Sequence, residues 1–200
     1  EMARVTDQTA IHYRKLNTRK GPDGESSRTQ NDKIRYHMAM KAVVEKTPGL
    51  DVKQGLVERL VVENGRVVGV CDQTGYGFEG SAVVLATGTF LSGLVHIGAN
   101  SFQAGRAGEF AAYGLAGDLK AYGFILGRMK TGTPPRLHRD SIDFSRMTRQ
   151  DGDAAPEPFS YFSKAFSMPQ LPSYIGHADA RTIRIVGDNL RFSALYGGRI

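Results

Sequence analysis

Cysteine is nearly missing: Cys71 stands alone in 200 residues. That excludes an intramolecular disulfide framework and any CxxC metal or redox pair, and it fits a reducing compartment, the cytoplasm. Long apolar runs are missing too. No stretch approaches the roughly 20 apolar residues of a membrane span, and Glu1-Met2-Ala3-Arg4 has neither the basic nor the apolar region of a signal peptide. No block of like charge exceeds a few residues, so neither a disordered tail nor a solvated charge block is indicated. There is no HExxH, no nucleophile elbow and no internal repeat. His12, His37, His96, His138 and His177 lack metal-ligand spacing, so no metal is expected. Above all there is no GxGxxG set between a strand and a helix, the fingerprint that seats a dinucleotide's pyrophosphate on a helix N-terminus; Gly75-Tyr76-Gly77-Phe78-Glu79-Gly80 has the spacing but lies at a polar turn with no helix pattern after it. The clusters Gly105-Arg106-Ala107-Gly108 and 127–132 have neither the strand-glycine-helix frame nor a Walker ending.

What remains is a globular composition with 40% hydrophobic residues and 23% charged ones of both signs. The net charge of +6 and a pI near 9.5 favour a polyanionic partner by raising its local concentration. Residues 11–16 alternate as a half-buried strand does, and 17–27 break into a Gly/Pro/Ser-rich loop whose start is basic: Arg14, Lys15, Arg19, Lys20. Apolar positions from Ile34 to Val44 predict a helix over 31–45, stopped by Thr47-Pro48-Gly49, with its methionines filling core. Residues 50–56, 57–62 and 67–70 read as an antiparallel meander, with Asn64-Gly65 as a type I′ turn. Cys71 sits in the last of these strands as inert packing.

Residues 82–86, Ala-Val-Val-Leu-Ala, form an apolar run without alternation, as in a strand covered on both faces of a parallel sheet. It ends in Thr87-Gly88-Thr89. At such a sheet edge Ala and Gly let the backbone approach a flavin dinucleotide, and Thr offers a hydroxyl. A small-residue strand end also serves simply to turn tightly, and the residues alone leave both readings open. Beyond it, 108–122 predict a helix closed by Gly123, 124–129 another strand, and Pro134-Pro135 the end of regular structure. Residues 137–172 are polar and Pro-punctuated, and Asp179 opens a helix that runs to Leu190.

Several blocks, in order over most of the chain, resemble one family, the tRNA uridine carboxymethylaminomethyl-modifying flavoenzymes (MnmG, or GidA). They include Leu16-Asn17-x-x-Lys20-Gly21-Pro22, Arg28-x-Gln30-x-Asp32 and Val57-Glu58-x-Leu60-x-Val62-Glu63-Asn64. The series continues with Thr87-Gly88-Thr89-Phe90-Leu91, His96-Ile97-Gly98, Gly105-Arg106-Ala107-Gly108, Lys130-Thr131-Gly132-Thr133-Pro134-Pro135-Arg136 and Ile142-Asp143-Phe144-Ser145.

The resemblance implies an α/β fold. Residues 1–135 would be an internal part of a Rossmann-like FAD-binding domain of glutathione-reductase type, with the helix and β-meander at 31–80. Residues 136–200 would begin an inserted α+β domain of the NADH-binding type. It further implies FAD and NADH as cofactors, a folate-derived one-carbon unit, tRNA as substrate, the GTPase MnmE as partner, and a homodimer. Position by position, Val57 matches a residue that contacts FAD, and Thr87, Gly88 and Thr89 should line the same pocket. Ala112 falls where the family commonly carries a serine at the cofactor, so a hydroxyl is missing there. A second departure is Asp23-Gly24, where the family usually has Ala-Val. Lys20, Arg106, Lys130 and Arg136 lie in Gly- or Pro-marked loops, from which a long cation reaches RNA phosphates or the flavin. The glycine fingerprint, catalytic cysteines, main NAD stretch and C-terminal tRNA- and partner-binding region are expected outside these residues. The chain is therefore expected to be an internal piece without activity of its own. The rival readings are a folate-dependent tRNA uridine methyltransferase, which should lack the 130–136 block, and a non-catalytic RNA-binding or assembly module.

Overall fold

The computed structural model describes residues 1–106 and 108–198. Ala107, inside a matched glycine block, and residues 199 and 200 lie outside them. The chain forms two compact units, each built from two separate stretches.

In one unit Glu1–Val52 joins Arg136–His177. Helix α1 (Met2–Thr9) leads into strand β1 (Ala10–Leu16), which pairs antiparallel with β2 (Ser26–Asn31). Helix α2 (Lys33–Lys46) starts at Asp32, whose carboxylate accepts from the amides of Ile34 and Arg35, both at 3.0 Å. Gly49, at φ +74°, turns the chain beyond its end. The core is small: Val5, Ala10 and Tyr13, with Phe159 and Phe166 against the Tyr13 ring. The second stretch covers the outer edge of β1, since Leu171 and Asp153 donate their amides to the carbonyls of Ile11 and Tyr13. Gly152 fits there because a Cβ would stand 3.0 Å from the Tyr13 carbonyl oxygen. Buried Asp7 anchors the same stretch by accepting from the amides of Phe159 (2.8 Å) and Ser160 (3.0 Å). Strands β8 (Thr148–Gln150) and β9 (Ser173–Ile175) make a separate short ladder in this stretch; both are numbered by chain order.

The other unit joins Lys53–Pro135 to the chain from Ala178 on. Strands β3 (Val57–Glu63), β4 (Arg66–Asp72) and β5 (Gly77–Glu79) form the antiparallel meander, turning at Asn64 (φ 52°) and Gly65 (φ 75°). The positive φ at both positions is what the type I′ reading required. A hairpin follows, β6 (Leu94–Ile97) with β7 (Asn100–Gln103), then α3 (Gly114–Ala121), and finally α4 (Ala180–Asp188). Leu60, Ala112, Leu115 and Leu119 form the core, with Val57, Val62, Val67 and Leu91 packed on it.

Four expectations change. Residues 50–56 form no strand. Residues 82–86 and 124–129 pair with no strand among the described residues and lie largely exposed, Val84 at 89% and Ile125 at 100%. A parallel strand needs neighbours along its edges, and among the described residues the ladders between strands are antiparallel. The helix expected over 108–122 begins only at Gly114, because 108–113 are taken up by turns and a bridge from Ala112 to Leu91. Ile34 and Met38 of α2 are exposed, not core. Residues 136–177 fold back onto 1–52 within the first unit.

Candidate functional site

Four of the five residues singled out for a cofactor, Thr87, Gly88, Thr89 and Ala112, lie in one knot of turns between β5 and α3, and Val57 lies at the start of β3. The chain turns at Thr87, whose carbonyl accepts the Phe90 amide at 3.0 Å, with Gly88 between them at φ +55°. A Cβ built on Gly88 meets nothing within 4 Å, so open space lies over its backbone. The left-handed conformation calls for glycine there, and the open space admits a flat ligand close to the peptide. The knot is then locked by backbone bonds. Phe90 receives the Ala112 amide at 2.9 Å, Ser92 donates to the Ala112 carbonyl at 3.0 Å, and Gly93 receives Ala104 at 3.2 Å. Tyr113 closes it by donating its hydroxyl to the Gly93 carbonyl at 3.0 Å.

Two glycines are demanded by this packing. A Cβ on Gly105 would lie 2.1 Å from Cδ1 of Phe90, and one on Gly114 would meet the Glu58 carboxylate at 1.7 Å and its carbonyl at 2.9 Å. The Phe90 ring therefore packs directly against Gly105, and the start of α3 lies against β3.

Against this geometry the five cofactor positions separate. Thr87 and Gly88 border the open space at the turn. Thr89 spends its hydroxyl on the Gly105 carbonyl, 2.7 Å away, so that hydroxyl holds the knot together. Ala112 is buried at 6% exposure, with its methyl in the core and both backbone groups bonded to the 90–92 turn, which leaves no polar group for a ligand. Val57 packs at the margin of the same core. An apolar cleft of about 350 Å³, lined by Leu60, Val62, Val83, Leu85, Leu119 and Tyr122 among others, opens beside the meander and includes none of the five.

The cations separate as well. Arg106 donates to both carboxylate oxygens of Glu109 through one guanidinium edge, from Nε at 3.1 Å and from Nη2. That hydrogen bond, followed by the charge attraction, raises its pKa further above the ordinary arginine value. Arg106 is thus a clasp across the turn that contains Gly108. Lys20, Lys130 and Arg136 are exposed and take part in no ion pair among the described residues. Sequence reasoning missed Glu109, Tyr113 and the β6–β7 hairpin; a Gly-Arg-x-Gly-Glu spacing, with acid three residues after base, was the available signal for the first. His96, read from the sequence as an ordinary histidine in a family block, has a buried Nδ1 with no hydrogen-bond partner among the described residues. No group of three metal-ligating side chains occurs among the described residues, and none of their helices is long and apolar enough to cross a membrane.

Comparison with known proteins gives a consistent picture. The family model described as glucose inhibited division protein A matches residues 1–200. A protein of Syntrophobacter fumaroxidans, named tRNA uridine 5-carboxymethylaminomethyl modification enzyme MnmG, is 56% identical over 199 residues, covering 100% of this chain and 31% of its own length. The protein of that name in Thermodesulfovibrio yellowstonii is 47% identical, with 100% and 32% covered. The solved structure of Aquifex aeolicus GidA superposes with a TM-score of 0.90 at 40% identity, covering 100% of this chain and 34% of that one. The chain spans about a third of the length of the curated relatives it matches.

Proposed function

This chain belongs to the glucose inhibited division protein A family, and from that premise we propose that it forms part of a flavin-dependent enzyme installing the carboxymethylaminomethyl group on the wobble uridine of tRNA. The observation that carries the reading is the match along the whole chain to proteins named for that modification. An α/β architecture shared with Aquifex aeolicus GidA supports it. The 130–136 block speaks against the methyltransferase alternative.

FAD fits what the turn at Gly88 offers, an unobstructed backbone at a left-handed glycine. When bound, the flavin would supply the two-electron redox chemistry, with NADH as reductant. The chain's own part is narrower. Thr87 and Gly88 would let the ring system approach the backbone, and Val57 would close an apolar margin. Thr89, Ala112, Tyr113 and the Arg106–Glu109 clasp would hold that turn in shape. Lys130 and Arg136 would reach phosphate or flavin, with Pro134-Pro135 fixing the direction in which the arginine leaves the loop. The remaining proposals follow from the same reading: a folate-derived one-carbon donor, the GTPase MnmE as partner, a homodimer, a cytoplasmic location, and a chain inactive by itself.

The test is made on the intact protein. Deleting its gene should remove the carboxymethylaminomethyl group from wobble uridine in total tRNA, read by nucleoside mass spectrometry; loss of 5-methyluridine alone would favour the methyltransferase. The purified protein should be yellow. Gly88→Val should lose the flavin, whereas Gly88→Asn, which tolerates a positive φ, should keep more of it. Stoichiometric flavin in Gly88→Val would remove the role given to this turn.

A further inference from the structure

We infer that the β1–β2 hairpin carries a phosphate-binding site built on Arg14 and Arg28. The register sets these two arginines directly opposite each other across the ladder. Directly opposed residues share a face, with Cβ atoms about 4.5–5.5 Å apart, and like charges in that arrangement destabilise the sheet. A pair held in this way is a cost to the free protein and an asset to one that binds an anion between the two guanidinium groups.

The surrounding charges point the same way. Lys15 lies on the opposite face and is already satisfied by Glu157 (3.2 Å) and Glu25 (3.7 Å). Arg14 reaches Asp153 only at 3.8 Å, and that carboxylate also accepts the Lys15 amide at 2.7 Å, so its charge is shared. Arg28 is exposed and takes part in no ion pair or side-chain hydrogen bond among the described residues. Arg19 and Lys20, both exposed, extend the positive field to the hairpin's tip, where the loop itself carries Asp23 and Glu25. Each guanidinium can donate two parallel hydrogen bonds, so one fork already fills the two oxygens of a carboxylate, whereas the several oxygens of a phosphate or pyrophosphate can accept from both arginines. The ligand is therefore a phosphate ester, from the backbone of an RNA or from the pyrophosphate of a dinucleotide. The RNA source rests on the function proposed above; the anion site itself does not.

The experiment compares the intact wild-type protein with Arg28→Gln and Arg28→Lys. Without ligand, Arg28→Gln should melt about 1–3 °C higher than wild type, because a repulsion is gone. Inorganic pyrophosphate in excess should raise the wild-type melting temperature and leave that of Arg28→Gln unchanged. An unmodified tRNA transcript should bind Arg28→Gln about tenfold more weakly, with a salt slope reduced by about 0.7–0.9. Arg28→Lys should keep the slope and recover part of the affinity, since it retains the charge and loses the fork. If Arg28→Gln instead loses NADH or FAD affinity while tRNA binding stays at wild type, the phosphate belongs to the dinucleotide. Wild-type behaviour of Arg28→Gln toward pyrophosphate, tRNA and both dinucleotides overturns the site. A colourless wild-type protein that binds no tRNA yet responds to pyrophosphate through Arg28 would overturn the functional reading and leave the site standing.

Discussion

At the level of single residues, the environment of Cys71 decides what its thiol can do. It is 3% exposed within β4, donates weakly to the Asp72 carbonyl at 3.6 Å, and receives a guanidinium N–H of Arg59 at 3.4 Å. A buried thiol with its sulfur covered on both sides is packing, and no substrate reaches it. Cys71→Ser should therefore cost about 1–3 kcal/mol of stability, since it places a more polar group in the same apolar site. Flavin content and tRNA modification in the intact protein should stay at wild type. Denaturant unfolding beside nucleoside analysis checks both; a loss of modification with fold and flavin preserved would make the thiol catalytic. The same scale explains Thr89 and Ala112. The strand ending named Thr89 and the family resemblance named Ala112; in this chain the Thr89 hydroxyl donates to the Gly105 carbonyl and Ala112 is buried.

At the level of elements, the Asp179 cap and the Asn64-Gly65 turn were the most legible features, because their chemistry is local, whereas the cap at Asp32 was not read from the sequence. Asp32 and Asp179 both accept from amides in the first turn of the helices they precede. The Asn64-Gly65 turn likewise needs nothing beyond its own φ angles. Asp179 gives a pH prediction. The amide of Thr182, then its hydroxyl, hold the carboxyl below its ordinary value. A carboxylate whose folded pKa is depressed contributes stability that is complete above its unfolded pKa of about 3.9 and is lost as pH falls through the folded value. Hydrogen exchange in the first turn of α4 should therefore be slower at neutral pH than below pH 3, after correction for the intrinsic exchange rate. Asp179→Ala should abolish that difference, and a pH effect of equal size in the variant would show that the cap is not its source. The elements misread from sequence were those defined by distant partners. The runs at 82–86 and 124–129 have strand composition, but a strand exists only with another strand beside it.

For the whole molecule, the two-stretch construction of each unit makes the connecting segments the vulnerable ones. Residues 127–137 are exposed, irregular and cationic, and they run between stretches assigned to different units. Limited trypsin digestion of this chain should cut first after Arg128, Lys130 and Arg136, before any site in α3 or the meander; early cleavage at Lys120 or Arg59 would contradict that order. In the intact protein, bound tRNA or flavin should slow the cuts at Lys130 and Arg136 if these residues hold the ligand, and should leave them unchanged if they are plain surface charge.

The sequence by itself determined the family, the Asn64-Gly65 turn, the helix that follows Asp179, the antiparallel pairing of 57–62 with 67–70 and the positive charge. These depend on residue identity at short range or on ordered blocks that survive as text. Only the tertiary structure decided that residues 136–177 close the edge of β1, that Glu109 claims Arg106, that Ala112 faces the core and that Arg14 stands opposite Arg28. Each of these pairs residues through register, burial or a long return of the chain. Local propensity carries no record of such pairings, because their energy exists only once the partners have been brought together.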